Sequence, residues 1–583
     1  LLLGLIAGAA EGVGRNALGQ LLANGTDPEK QRIALQLLAR ASRDGPAAAD
    51  FRRQLGNLIG APKPHRILED LLAVRAQIAL GTKDYAQAEE DAKALLEKFP
   101  GSQLKAEALG ELTRAAWEQG RYRTAADYAS KARAELRPED RQTRAELGVL
   151  IAEAWFRAED FRNAADAYNE VLNTPPDGVA VGVLMFQRVL AEIKAANFDG
   201  TRLKAVQPLL DELTRNPAFD AVNRWKSEWN LAQALLAANE TAAAYARVNQ
   251  LLAAAPARSA AAGSNQALPA ELRARMEWLR ALLSLDAGQP LETLKLAEDL
   301  AGVLEGLDAG LRTEIASRTQ LLKGQADFAL AGSGTADPGR EKAAVDLLTK
   351  LRADFPGSDA AVKSYIVQAD YYENKDNIGT AQQLLINLVG EFPQSPYAPL
   401  ASYRAALCDE KLGRTGPDGA IKRLEQLIQL IKDYPASDPQ GDWVFAARLK
   451  EGDLYAARND FPQAQKIYQD IRDRFPRHPG VVATELALAD CHSAQAAGDP
   501  QHADRAKEGY ERLLALPTAP LDLRVEAGCK LGNNLALRGD TKRAVDCWWR
   551  DVANPFLMDK PEVAAQLGAG GRYWMSRTLL DLG

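Results

Sequence analysis

The chain has 583 residues and a formal net charge of −7, and it contains 4 cysteines and 4 histidines. A chain of this length rarely folds around one compact core. Its lysines and arginines alternate with acidic residues and form no long basic block. This pattern argues against nucleic acid as the main partner, because phosphate binding needs a concentrated basic face. Alanine-rich amphipathic segments dominate and strand-like alternation is scarce, which predicts an all-α fold.

The first predicted region is a divergent helix pair with a cap, over residues 1–64. Its opening stretch, 1–10, is too short to span a bilayer, and we expect an ordered helix there, with the end of a signal sequence as the alternative. Asn24 and Gly25 form a turn. Asp27 and Pro28 then begin a second helix as capping residue and first-turn proline. A further helix at about 48–60 ends at the proline-rich link 61–64.

Regular helix pairs follow over 65–256, at 67–100, 104–138, 143–176, 180–217 and 223–256. Residues 257–340 are irregular, with a small-residue loop at 257–268 and an insert at 331–339 that we expect to be a mobile surface loop. Regularity returns over 341–555. The remaining residues, 556–583, predict a C-terminal helix, either a cap or the first helix of a truncated repeat.

The segment from Trp443 to Pro479 shows the repeated unit most clearly. Small residues at Gly452 and Ala464 allow two antiparallel helices, joined by a turn at Asn459-Asp460, to approach, and Tyr468 fills the space beside them. The Ala-x11-Pro spacing seen at Ala464 and Pro476 recurs in about a dozen copies along the chain. This pattern resembles the tetratricopeptide repeat. The resemblance implies an all-α solenoid, a right-handed superhelix of about twelve helix pairs in which the first helices line a concave groove.

An aromatic-Pro-x-Ser sequence separates several repeats, as at Phe99-Pro-Gly-Ser102 and Phe355-Pro-Gly-Ser358. The aromatic residue anchors the end of one helix, proline stops it, and serine caps the next. This punctuation is similar to that of bacterial cell-envelope repeat proteins. The resemblance implies a periplasmic or outer-membrane-associated location in a Gram-negative bacterium, with the cytoplasm as the alternative.

Residues suited to catalysis do not form a recognisable pattern. No zinc-protease, nucleophile-elbow, phosphate-loop or calcium-loop motif occurs. Cys491 and His492 are adjacent, but neighbouring positions on a helix point about 100° apart and do not face each other. The four cysteines, Cys408, Cys491, Cys529 and Cys547, show no metal-binding spacing and are expected to be buried thiols. We therefore predict a non-enzymatic protein with no cofactor and no metal.

The groove predicted by the repeat register carries large aromatic residues among single polar groups, as peptide-binding surfaces do. The candidate partner-binding residues are Arg114, Trp117, Glu153, Phe156, Trp229, Gln233, Trp278 and Trp549, with Asp370, Asp453 and Asn533 as further groove positions. For each aromatic residue, packing between adjacent helices is the alternative. Lys450 and Arg404 are isolated and do not form the lysine–asparagine clamp of chaperone-tail receptors.

We predict a scaffold or adaptor that holds another protein or peptide. Two alternatives stay open. One is a structural subunit of a homo-oligomeric or filamentous assembly, joined through the repeat ends. The other is a glycan- or cell-wall-binding module that uses the tryptophans as stacking platforms.

Overall fold

A computed structural model describes residues 12–43, 45–254, 268–332, 338–559 and 561–583. Within these ranges the chain is helical and contains no β-strand, which confirms the predicted all-α class. The predicted helix at 1–10, most of the loop at 257–268 and residues 333–337 of the insert lie outside the described residues. The described chain divides into two units, Leu1–Ile315 and Ala316–Gly583.

The first unit is a succession of antiparallel helix pairs with one extra helix, α3. Its helices are α1 Gly12–Asn24, α2 Pro28–Ala41, α3 Gly45–Ile59, α4 Leu68–Gly81, α5 Tyr85–Lys98, α6 Lys105–Glu118, α7 Tyr122–Glu135, α8 Arg141–Arg157, α9 Phe161–Asn173, α10 Val181–Ala195, α11 Gly200–Thr214, α12 Ala221–Ala237, α13 Thr241–Ala254, α14 Ala270–Asp286 and α15 Pro290–Val303. Helix α16, Ala309–Gly332, contains the boundary between the units.

The second unit continues the same alternation. Its helices are α17 Pro338–Asp354, α18 Asp359–Asn374, α19 Ile378–Glu391, α20 Ala398–Lys411, α21 Ala420–Asp433, α22 Asp442–Ala457, α23 Phe461–Arg474, α24 Val481–Gln495, α25 Pro500–Ala515, α26 Leu521–Leu537, α27 Thr541–Asp546, α28 Pro561–Ala564 and α29 Ala569–Leu582, with a π-helix, Cys547–Met558, directly after α27.

Each helix packs mainly on the helices before and after it in the chain. The first helices of neighbouring pairs also touch each other directly, as α4 and α6, α12 and α14, and α20 and α22 do. In the described ranges, the second helices of neighbouring pairs do not make such direct contact with each other. The first helices are therefore the more closely spaced row of each unit, which is the arrangement of an α-solenoid.

The turn inside a helix pair is set by a residue in the left-handed region followed by a capping aspartate. Lys83 has φ of 61°, and Asn459 has the same value. Asp84 and Asp460 follow them, and each side chain accepts a hydrogen bond from the backbone N–H three residues later. This contact satisfies one of the free N–H groups at the start of the second helix. The turn at Asn459 and Asp460 is the one that the sequence predicts.

Close packing within the pair α22–α23 depends on Gly452. A Cβ atom on Gly452 would lie 2.5 Å from the ring of Tyr468, too close for any real contact. Tyr468 is 2% exposed and Ala464 is fully buried. The glycine therefore makes room for a large buried ring at the helix crossing, as the sequence pattern predicts.

The repeated alanine–proline spacing has a looser copy at Ala544 and Pro555. It predicts that Pro555 ends the last regular repeat, and this is wrong. Pro555 lies inside the π-helix, which runs on to Met558. A proline cannot donate a backbone hydrogen bond, but a π-helix already departs from the i→i−4 ladder that proline would break. The C-terminal helix α29 packs against α26 and the π-helix, in the place of a following first helix.

Candidate binding surface

Trp117 lies in the first helix α6 and is half-buried. Its ring meets that of Tyr122 edge-on, with centroids 5.4 Å apart. The guanidinium of Arg157, from the neighbouring first helix α8, lies 4.8 Å from the centre of the Trp117 ring. Such a cation–π contact orders the indole while leaving part of it accessible. Arg114, one turn earlier on α6, is exposed.

Glu153 joins this aromatic group to the core of the next repeat. It accepts a hydrogen bond from Nε of Arg157 at 2.8 Å and from the hydroxyl of Tyr168 at 3.0 Å. Tyr168 is buried, and burial together with the Glu153 charge raises its pKa. The structure therefore brings Trp117 and Glu153 together through Arg157, a residue that the sequence analysis missed. Its spacing of four residues from Glu153 on one helix was the available signal.

Phe156 occupies α8 and is half-buried. Its ring meets Phe161, the first residue of α9, edge-on at 5.3 Å. Phe156 repeats the relation of Trp117 to Tyr122, since each pair joins the end of a first helix to the start of the second. This intrarepeat contact stabilises the turn and leaves less of the Phe156 ring free for a partner than the sequence analysis expects of a groove residue.

Trp229 and Trp278 lie on the first helices α12 and α14, which contact each other. Both side chains are half-buried and pack against the core cluster of this region. Trp225, one turn before Trp229, belongs to that core and is 1% exposed. Gln233, one turn after Trp229, is exposed. The row from Trp225 to Gln233 therefore passes from core to solvent along a single helix.

In the second unit, ion pairs connect the first helices. Arg404 on α20 binds Asp370 at 2.5 Å and Glu373 at 2.9 Å, both on α18. Lys450 on α22 binds Glu410 on α20 at 2.8 Å. Arg404 and Lys450 are thus committed to acidic neighbours, which explains why they do not form a clamp for an acidic tail.

A tyrosine hydroxyl from the second helix supports a carboxylate of the first helix in two successive repeats. Tyr468 donates to Asp453 at 2.7 Å, and Tyr510 donates to Asp490 at 2.8 Å. Asp490 also binds Lys530 on the next first helix at 2.7 Å. The Asp453 carboxyl reaches solvent, yet the protein atoms around it raise its pKa through desolvation. Asn533, on α26, is half-buried.

The adjacent tryptophans near the C-terminus take different environments. Trp548 is buried and its Nε1 donates to the carbonyl oxygen of Cys529 at 3.2 Å. Trp549 is 45% exposed. Of the candidate aromatic residues, Trp549 is therefore the most accessible to a partner.

The Cys491 thiol and the His492 ring each lie against other side chains of the protein. Burial raises the pKa of the Cys491 thiol to about 12, which leaves it protonated and weakly nucleophilic. The neighbouring His492 approaches His502, with 2.8 Å between their Nδ1 atoms. All four cysteines are free and buried. The described ranges contain no cluster of three metal-ligating side chains and no helix long and apolar enough to cross a membrane.

Comparison with known families decides the nature of the repeat. Residues 446–478 match the model of the tetratricopeptide repeat. This segment is a tetratricopeptide repeat. The matched residues form the pair α22–α23, the unit from which the sequence analysis derived the tetratricopeptide resemblance, and that resemblance is confirmed. The match does not bear on the resemblance to cell-envelope proteins.

Solved structures of other proteins align with this chain at low similarity. The Naa15/Naa10 complex bound to HypK-THB aligns at 13% identity and a TM-score of 0.25, covering 88% of this chain and 79% of that chain. Yeast Tom70 aligns at 15% identity and a TM-score of 0.27, covering 82% and 96%. No curated protein matches the sequence. These alignments carry no argument about function.

Proposed function

We propose that this protein is a non-catalytic scaffold that binds another protein along its first helices. The observation that carries the proposal is the environment of Trp117, Trp229 and Trp278. All three lie on first helices and are half-buried, whereas Trp225 and Trp548 are enclosed in the core. An aromatic ring that is fixed at its base and accessible at its edge supplies contact area at little cost in side-chain entropy.

The triple variant Trp117→Ala, Trp229→Ala, Trp278→Ala tests this proposal. Wild type and variant are crosslinked in lysate of the source organism, and the captured proteins are identified by mass spectrometry. The control is Phe198→Ala, which removes an aromatic residue 67% exposed at a turn of the first unit. We expect a partner that the wild type and the control capture and the triple variant loses. Capture that is equal in all three contradicts the assignment to the first helices.

A fold check must accompany the triple variant, because each tryptophan also packs on the core. Circular dichroism of all the proteins provides it, since loss of the helical signal would separate unfolding from loss of binding. The glycan-binding alternative predicts that the tryptophans bind glycan and not protein. In that case the wild type binds isolated cell-wall glycan, the triple variant does not, and no protein is captured.

Self-association is a second candidate, favoured by the outer surface of α29. Tyr573 is 61% exposed and Leu580 is 73% exposed on that helix. An exposed apolar patch of this kind can serve as a contact surface between copies of a chain. Light scattering over a range of concentrations tests the idea, since a mass that stays monomeric throughout contradicts it.

We also propose an envelope location in a Gram-negative bacterium, periplasmic or outer-membrane-associated. Support comes from the aromatic-Pro-x-Ser sequences between repeats alone. Fractionation of source cells tests it. Recovery with periplasmic or outer-membrane markers supports the proposal, and recovery with cytoplasmic markers contradicts it.

A further inference from the structure

Three arginines surround a small cavity in the first unit. The cavity has a volume of about 280 Å³ and lies between the second helices α9 and α11, over the first helix α10. Arg162 comes from α9, Arg188 from α10 and Arg202 from α11, and one acid, Glu192 of α10, also lines the cavity. Val206 and Leu209 form part of an apolar wall. Arginines from three helices thus line a space large enough to admit a small anion.

Arg188 is the least compensated of the three. Its Nε atom is buried and has no hydrogen-bond acceptor among the described residues. No acidic side chain within the described ranges forms an ion pair with it. A guanidinium donor that is removed from water and left without an acceptor costs free energy. A bound anion would supply the missing acceptor.

The other two arginines are held only weakly by acids. Arg162 lies 3.7 Å from Glu192, and Arg202 lies 3.5 Å from Asp199. Both arginine side chains are more than 60% exposed, at 64% and 62%. Ion pairs of this exposure contribute little, because water and salt screen them. Each guanidinium can therefore leave its acidic neighbour and bind a ligand at a small cost in free energy.

A cavity in the same place of another repeat provides an internal comparison. It lies between α19 and α21 over α20 and is lined by Arg423 and Ser402. There the arginine is neutralised, since Arg423 binds the buried carboxylate of Asp409, which also accepts from Arg414 at 2.6 Å. Among the described residues around Arg188 no acid is buried to this degree, since Glu192 is 25% exposed and lies near Arg162. The charge at Arg188 is a local feature and does not follow from the repeat geometry.

We propose that Arg162, Arg188 and Arg202 form a binding site for a phosphate-type oxyanion. Guanidinium groups match the geometry of phosphate oxygens and bind them by paired hydrogen bonds. The oxyanion is either free phosphate or a phosphorylated side chain of a bound protein. The cavity lies between two second helices, whereas Trp117, Trp229 and Trp278 lie on first helices. The proposed anion site therefore does not depend on the scaffold role.

Phosphorus-31 NMR and calorimetry with inorganic phosphate test the site on the full chain. We expect saturable binding with a dissociation constant of about 1 mM or tighter. The variant Arg188→Gln should weaken it at least ~10-fold, because it removes the central donor. Arg202→Gln should weaken it as well, and it should leave the fold intact because the Arg202 side chain is exposed. Sulfate should compete, since it has the same tetrahedral shape.

The matched control is Arg141→Gln, which removes one exposed positive charge from the first helix α8 of the same unit. It should bind phosphate as the wild type does. Absence of saturable binding in the wild type overturns the proposal. Equal loss in Arg141→Gln and Arg188→Gln overturns it too, because the binding would then reflect net charge alone.

A phosphoserine peptide and its unphosphorylated form distinguish the two sources of the anion. Tighter binding of the phosphopeptide, reversed by inorganic phosphate and lost in Arg188→Gln, supports a phosphorylated protein as the source. Binding of inorganic phosphate without any binding of the phosphopeptide supports the free anion. Equal binding of both peptides that Arg188→Gln leaves unchanged contradicts the site.

Discussion

Replacing Glu111 with glutamine is expected to change how stability depends on pH. Glu111 lies on α6, is 7% exposed, and neither carboxylate oxygen has a hydrogen-bond partner among the described residues. Burial raises its pKa from 4.5 to about 8, with smaller contributions from the charges of Glu107 and Asp91. The folded protein therefore holds the proton more tightly than the unfolded chain does.

The sign and size of the effect follow from this difference. A group with a raised pKa stabilises the fold fully below its unfolded pKa, and that contribution is lost as pH rises through the folded pKa. The loss is below about 1 kcal/mol at pH 5, about 3 kcal/mol at pH 7, and approaches about 5 kcal/mol above pH 8. Glutamine cannot ionise, so Glu111→Gln removes this dependence. Its unpaired amide costs roughly 1–3 kcal/mol at every pH.

Urea denaturation near pH 5 and pH 8 measures the effect through the shift of the unfolding midpoint. The variant should gain stability relative to wild type by about 3–4 kcal/mol between these two conditions. The change in relative stability between pH 5 and pH 8 is the quantity to compare, because the cost of the unpaired glutamine amide is the same at both pH values. The control Glu118→Gln removes an exposed carboxylate from the same helix and should show no such gain. An equal difference between Glu111→Gln and wild type at both pH values would refute the reasoning.

Three further outcomes follow from packing. Gly452→Ala should destabilise the second unit by about 1–3 kcal/mol in urea denaturation, because the new methyl group meets the Tyr468 ring. The control Gly110→Ala has open space around its new methyl group and should be neutral or stabilising. Arg247→Met should lower the free energy of unfolding by about 3–5 kcal/mol in the same assay, because it leaves the Glu228 carboxylate buried without its partner. Replacing Glu228 as well should recover most of this loss. The four buried thiols should not react with a thiol reagent in the native protein and should all react after unfolding.

Local features of the fold could be predicted because they depend on residues close together in sequence. The turn at Asn459, the capping Asp460 and the glycine opposite Tyr468 each follow from conformational preference or side-chain volume within one repeat. The repeat multiplies these signals along the chain. The helix around Pro555 could not be predicted, because a π-helix is not encoded in the spacing that predicts a proline stop.

The candidate surface was harder to predict because its contacts join different repeats. Trp117 and Glu153 were identified from the repeat register, but the register did not reveal that Arg157 covers one and binds the other. The uncompensated charge of Arg188 was missed for the same reason, since its neighbours Arg162 and Arg202 are 26 and 14 residues away in sequence. Such groups become visible only when the helices are placed side by side.

Site-specific photo-crosslinking tests the central claim most directly. A photoreactive amino acid is placed at Gln233, exposed on the first helix α12, and in a separate protein at Asn169, exposed on the second helix α9. Crosslinked products are then compared after illumination in source lysate. A first-helix binding surface predicts a discrete partner crosslinked from Gln233 and not from Asn169. The same partner crosslinked from Asn169 alone would contradict that account.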